Sequence, residues 1–108
     1  MESTIHQHGD HTILSLSGDV DYFNLNKLKD LIKPLTEGEN KSIIVNFQEV
    51  TFIDSSGIGI LIGTYKKMIR NNHQFALLNV PDDIMTILYV GTVDQFITIY
   101  NSIEEVPM

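Results

Sequence analysis

Three features of the sequence predict an α/β fold: a mixed, mostly parallel central sheet with helices packed on it. Ile43-Ile44-Val45-Asn46-Phe47 is a nearly continuous apolar run, the pattern of a strand covered on both faces. Phe75-Ala76-Leu77-Leu78-Asn79 is a second such run. Stretches with apolar residues three and four apart flank both runs. Strands alternating with helices imply a sheet that is parallel in its centre, with right-handed crossovers.

Taken in order, a first strand is expected around Ile5 to His8, and Gly9-Asp10 marks a hairpin turn. Leu14 and Leu16 then alternate with Ser15 and Ser17, the period-two signature of a half-buried strand. Gly18-Asp19-Val20-Asp21 breaks that pattern. Leu25, Leu28, Leu31, Ile32 and Leu35 follow at helical spacing, with Asn24 or Asp21 as the cap and Gly38 as the stop. After the central run, the short apolar Phe52-Ile53 leads into Asp54-Ser55-Ser56-Gly57 and a helix to about Asn71. Pro81 opens a third helix through Ile84, Ile87 and Leu88, and Gly91 ends it. Phe96-Ile97-Thr98-Ile99-Tyr100 is a last strand. Ser102 and Glu105 have the spacing of a capping box for a terminal turn. No repeat, linker or low-complexity tract interrupts the chain, so one domain over residues 1–108 is expected.

Composition narrows the function. With 108 residues and 43% apolar content, the chain is large enough for a single buried core. No apolar run reaches the roughly 18 residues of a membrane span. Met1-Glu2-Ser3-Thr4 lacks the basic and apolar parts of a signal peptide, and the chain has no Cys. These features point to the cytoplasm. The net charge of −7 disfavours nucleic acid as a partner. Lys66, Lys67 and Arg70 fall in one helical stretch, which reads first as a solvated helix face and second as a docking patch for an acidic partner.

The chemistry-bearing stretch is Asp54-Ser55-Ser56-Gly57, where a strand meets a helix. A helix N-terminus offers unpaired N–H groups and the positive end of its dipole, so the position suits an anion or phosphate. A hydrolase elbow would need Gly-x-Ser-x-Gly, and Ile53 or Asp54 stands where the first Gly belongs. No His is placed to serve as its base. A P-loop is absent too, since no Gly-Lys-Ser/Thr follows Gly57 at the required spacing. A phospho-accepting Asp54 in a receiver domain fits less well, because Asn79-Val80-Pro81 offers no Lys. The plain alternative is helix capping by Asp54, Ser55 and Ser56.

Gly57 and Gly59 favour more than capping. Each costs about 1 kcal/mol relative to Ala in a helix, but lets another chain approach the backbone. Helical stepping places Ile58, Leu61, Ile62, Tyr65, Met68 and Ile69 on a core stripe, with Ser56, Ile60, Gly63 and Lys67 opposite. On that reading Ile60 is an exposed apolar knob, and Ile60→Glu weakens partner binding without lowering the melting temperature.

The Asp54–Lys67 stretch resembles the phosphorylation loop and following helix of STAS domains, most closely the small anti-sigma factor antagonists. Gly18-Asp19-Val20-Asp21 is a second, weaker match. The resemblance implies a STAS-like single domain in which Ser55 is the regulated serine and Asp21 contributes to the partner surface. Such a protein captures an anti-sigma factor that is also a serine kinase with a GHKL-type ATP site, which frees a sigma factor. The kinase phosphorylates the serine and ends the complex, and a metal-dependent phosphatase restores it. The implied partner surface comprises Asp21, Asp54, Ser55, Ser56, Gly57, Gly59, Ile60, Gly63 and Lys67, with no cofactor and no catalytic residue. An unmodified STAS scaffold, or a partner-switching module with a target outside the sigma pathways, is the rival reading. Two points depart from the family: the C-terminal helix is cut to a turn, and Ser56 offers a second hydroxyl. His6, His8 and His11 read as exposed strand and turn residues sooner than as metal ligands, and Tyr22-Phe23 reads first as core packing, with a contact role as the alternative its loop location offers.

Overall fold

The computed structural model of the chain describes residues 1–107. Five strands form one sheet in the order β1-β2-β3-β4-β5: β1 (Glu2–His8), β2 (His11–Val20), β3 (Ser42–Ile53), β4 (Gln74–Leu78) and β5 (Thr98–Tyr100). β1 is antiparallel to β2, and every other pairing is parallel. The helices α1 (Leu25–Glu37), α2 (Ser55–Arg70) and α3 (Asp82–Val90) occupy the intervals expected of them.

The main core joins one face of the sheet (Leu14, Leu16, Ile43, Val45, Phe47, Phe75 and Leu77) to Leu28 and Ile32 of α1, Leu61 and Met68 of α2, and Ile84 and Leu88 of α3. The other face buries Ile13, Ile44, Ala76 and Leu78 under Val106, with Ile103 and Tyr100 beside it. β3 and β4 are therefore apolar on both sides, as their continuous runs required. The short C-terminal segment thus covers this face of the sheet.

His11 fastens that segment, contrary to the expectation that it is an exposed turn residue. It is buried, its Nδ1 lies 2.6 Å from Ser42 Oγ, and its Nε2 bonds the carbonyl of Pro107. A carbonyl only accepts, so Nε2 carries a proton and donates to it, while Nδ1 pairs with the Ser42 hydroxyl. His6 is exposed and His8 half-buried, so these three residues share no environment.

Several boundaries shift for local reasons. β1 starts at Glu2 rather than near Ile5. β2 continues through Gly18-Asp19-Val20, because two slips in register against β3 absorb the irregularity and Asp19 and Val20 still pair with Phe52 and Ile53. The central run and Phe52-Ile53 are accordingly a single strand, β3. β5 begins only at Thr98, since a 3-10 turn over Val93–Gln95 continues into an Ile97 N–H bond to the Val93 carbonyl at 3.0 Å. Ser102 makes no side-chain capping bond, whereas Glu105 accepts from the Asn101 N–H at 3.0 Å.

Candidate functional site

β2 and β3 end side by side, with Val20 opposite Ile53, and the next residue of β3's chain is Asp54. Its extended backbone places the carboxylate over the start of α2. Oδ1 accepts from the N–H groups of Ser56 at 2.9 Å and Gly57 at 3.2 Å. Oδ2 accepts from the Tyr22 N–H at 3.0 Å. One carboxylate thus caps α2, an interaction worth about 1 kcal/mol, and ties the loop after β2 to it. The helix N-terminus is not a vacant anion site. Its reachable N–H groups already hold an anion of the chain itself.

Beyond the cap, Ser55 is the first residue of α2 and is exposed, while Ser56 is half-buried. The two hydroxyls are therefore unequal in access. Asp21 is half-buried and acts locally. Its Oδ1 accepts from the Asn24 N–H at 3.1 Å and from Asn24 Nδ2 at 2.9 Å, closing a 3-10 turn over Tyr22–Asn24. Asn24 itself stands at the N-cap of α1 without a side-chain capping bond to that helix. Asp19 is exposed and accepts from Thr51 Oγ1 at 2.8 Å.

α2 is rotated from the expected orientation. Its buried stripe is Gly57, Leu61, Thr64 and Met68. Ile58, Ile62 and Tyr65 are half-buried on one flank, and Ile69 is 47% exposed. The cause is close packing, which puts a glycine where hydrophobicity alone would put an isoleucine. A Cβ on Gly57 would sit 2.5 Å from the Val20 carbonyl oxygen and 2.9 Å from Ile53 Cγ1. Gly57 therefore serves the fold and is buried from any partner. Gly59 and Gly63 differ: a Cβ on either meets nothing within 4 Å among the described residues. Ser55, Gly59, Gly63 and Lys66 form the exposed ridge of the helix.

Ile60 lies on the other flank, half-buried against the main core rather than exposed. With Ile32, Gly63, Thr64 and Lys67 it lines a shallow groove of about 450 Å³ between α1 and α2. Lys67 also reaches across that interface, its Nζ 3.9 Å from Glu37 Oε1. Ile60→Glu is consequently expected to lower the melting temperature, through loss of roughly 1–2 kcal/mol of side-chain burial. A thermal melt checks this: an unchanged transition would return Ile60 to the surface.

The most exposed apolar residues near the serine include the pair that the sequence reads first as core packing. Phe23 is 91% and Tyr22 68% exposed, their rings edge-to-face with centroids 6.1 Å apart, and Phe52 is 46% exposed. The pair is therefore not core packing. Their neighbours pin the aromatic loop, through Tyr22 N–H to Asp54 and Asn24 to Asp21. The available signal is their place in a polar loop between a strand end and a helix, outside either apolar pattern.

This arrangement has known counterparts. Residues 2–106 match the STAS domain. The chain belongs to the STAS domain family. An anti-sigma-B factor antagonist of Staphylococcus aureus (strain NCTC 8325) is 28% identical to it over 71 residues, covering 66% of this chain and 66% of that protein. The match thus spans just under two thirds of the relative's length. Among solved structures, the unphosphorylated anti-sigma factor antagonist SpoIIAA superposes with a TM-score of 0.73 at 21% identity, covering 96% of this chain and 92% of that one. The phosphorylated Bacillus cell fate determinant SpoIIAA gives 0.70 at 19% identity, with 91% and 90% covered. At these identities the superpositions establish a shared STAS fold.

Proposed function

We propose that this STAS domain is an anti-sigma factor antagonist whose grip on its partner is gated at Ser55. The observation that carries the reading is the placement of Ser55: an exposed hydroxyl at the first position of α2, between an exposed ridge and an exposed aromatic loop. The names of the relatives point the same way. The partner is an anti-sigma factor with a GHKL-type ATP site and serine kinase activity, and a metal-dependent phosphatase reverses the modification. The domain is substrate and binding protein rather than catalyst, and works in the cytoplasm.

The contact surface is Ser55, Gly59 and Gly63 along the ridge, with Ser56, Ile60 and Lys67 on its α1 flank. Asp21 and Asp54 act from beneath by holding the loop and the helix start. Gly57 takes part only by letting α2 lie close to β2. Phosphorylation adds about −1.5 to −2 charges to Ser55. Because Asp54 already occupies the adjacent N–H groups, the phosphate finds little neutralisation from the helix and projects its charge toward the partner. The chain recovered from its own cells with phosphatases inhibited should carry one phosphate, mapped to Ser55 by peptide mass spectrometry. Phosphate confined to Ser56, or none under any growth condition, would overturn the gate.

The aromatic loop gives an independent handle on the same surface. Phe23→Ala should leave the unfolding transition in place, since the ring is almost wholly solvated. Interface aromatics carry much of the energy of protein association, so partner affinity should fall by about 2 kcal/mol, some 30-fold. A thermal melt and isothermal titration with the partner read the two arms. Unchanged affinity would remove Phe23 from the interface.

A further inference from the structure

The outer edge of the sheet is β1. β1 runs for seven residues, Glu2 to His8, in unbroken register with β2 and, among the described residues, has no strand on its other side. The opposite edge, β5, has only three residues. Natural sheets blunt a long edge with Lys, Pro or a bulge. Glu-Ser-Thr-Ile-His-Gln-His has neither residue, and its pairing shows no bulge.

Which backbone groups face outward follows from the hairpin. His8 and His11 close a two-residue turn at Gly9-Asp10, with Gly9 at φ 60°, so they exchange both backbone bonds. Alternation then turns the N–H and C=O groups of His8, His6, Thr4 and Glu2 toward β2. Those of Ser3, Ile5 and Gln7 point away from the sheet, each a donor and acceptor with no backbone partner among the described residues.

We propose that this edge pairs with the same edge of a second copy, antiparallel about a two-fold axis through Ile5. In that register Ile5 faces Ile5, Ser3 faces Gln7, Thr4 faces His6 and Glu2 faces His8. The outward set (Ser3, Ile5 and Gln7) falls on the hydrogen-bonded positions, so all three pairs close. The ends are complementary, with the Glu2 carboxylate accepting from the His8 imidazole at both of them. The two-fold also covers Ile5, which is 52% exposed in the single chain, against its own copy. Such an isologous contact needs one surface complementary to itself, and the strand's sequence supplies it.

The product is a ten-stranded sheet with all helices on one face. Strand direction reverses across the axis, so the two Ser55 sites lie at opposite ends and both stay open. The dimer would present two docking sites without occluding either.

Sedimentation velocity of the full chain, from low micromolar to millimolar concentration, tests this. The weight-average mass should climb from monomer toward dimer. Ile5→Lys, which opposes two ammonium groups across the axis, should hold the chain monomeric with an unchanged melting temperature. Glu2→Lys should weaken the dimer, and Glu2→Lys combined with His8→Glu should restore it. A wild-type chain that stays monomeric throughout overturns the proposal. So does a dimer that survives Ile5→Lys, or a charge swap that fails to rescue.

Discussion

Ser55→Asp should lose the anti-sigma partner while keeping the fold of the wild-type chain. Ser55 is exposed and its side chain leads away from the core, so a carboxylate there disturbs no packing. Far-ultraviolet circular dichroism and the melting temperature are expected to match the wild type. Binding should behave differently, because the new charge joins Asp54, Asp19 and Asp21 around the end of β2 and sits on the proposed contact surface. About 3 kcal/mol of lost affinity corresponds to more than a hundredfold in Kd. Ser55→Ala should bind as the wild type does and resist the kinase. A large spectral change in Ser55→Asp would make the switch conformational rather than electrostatic. Equal affinity in wild type and Ser55→Asp would remove the gate.

Gly57→Ala and Gly59→Ala should change stability in opposite directions, although the two residues occupy one turn of one helix. An alanine at position 57 places its methyl 2.5 Å from the Val20 carbonyl oxygen, a backbone atom that moves only if β2 or α2 shifts. Overpacking of this kind costs about 1–3 kcal/mol, more than the roughly 1 kcal/mol that alanine gains over glycine in a helix. Gly57→Ala is therefore destabilised overall. At position 59 the methyl meets nothing, so the helix gain stands and the protein is stabilised by up to about 1 kcal/mol. Urea unfolding of the two variants decides. Stabilisation by both would show that α2 does not approach β2 so closely. Gly59 thus lowers stability with no compensation inside the fold, as expected if the proposed partner lies against the exposed ridge.

The elements are legible in the sequence because their signals are local. Apolar runs at Ile43 and Phe75 mark the covered strands, and the Asp54-Ser55 junction shows as a carboxylate directly before a helical period. The orientation of α2 is not legible, because the side facing the sheet is chosen by how near the backbones come. Gly57 and Thr64 are small for that reason, and a hydrophobic tally passes over them. The burial of His11 escapes a sequence reading because its partners, Ser42 and the Pro107 carbonyl, are distant in sequence, and no spacing rule connects them. Residue type alone sends Phe23 to the core. Its exposure follows from the tight turn that Asp21 closes on Asn24 and from the tie of the Tyr22 N–H to Asp54, which is distant in sequence.

The gate at Ser55 is tested most directly by affinity capture from native lysate, using wild type and Ser55→Asp as paired baits and identifying what each retains. Recovery by the wild type alone of an ATP-binding kinase that then phosphorylates Ser55 is the expected result. Equal recovery of that kinase by both baits would contradict the gate.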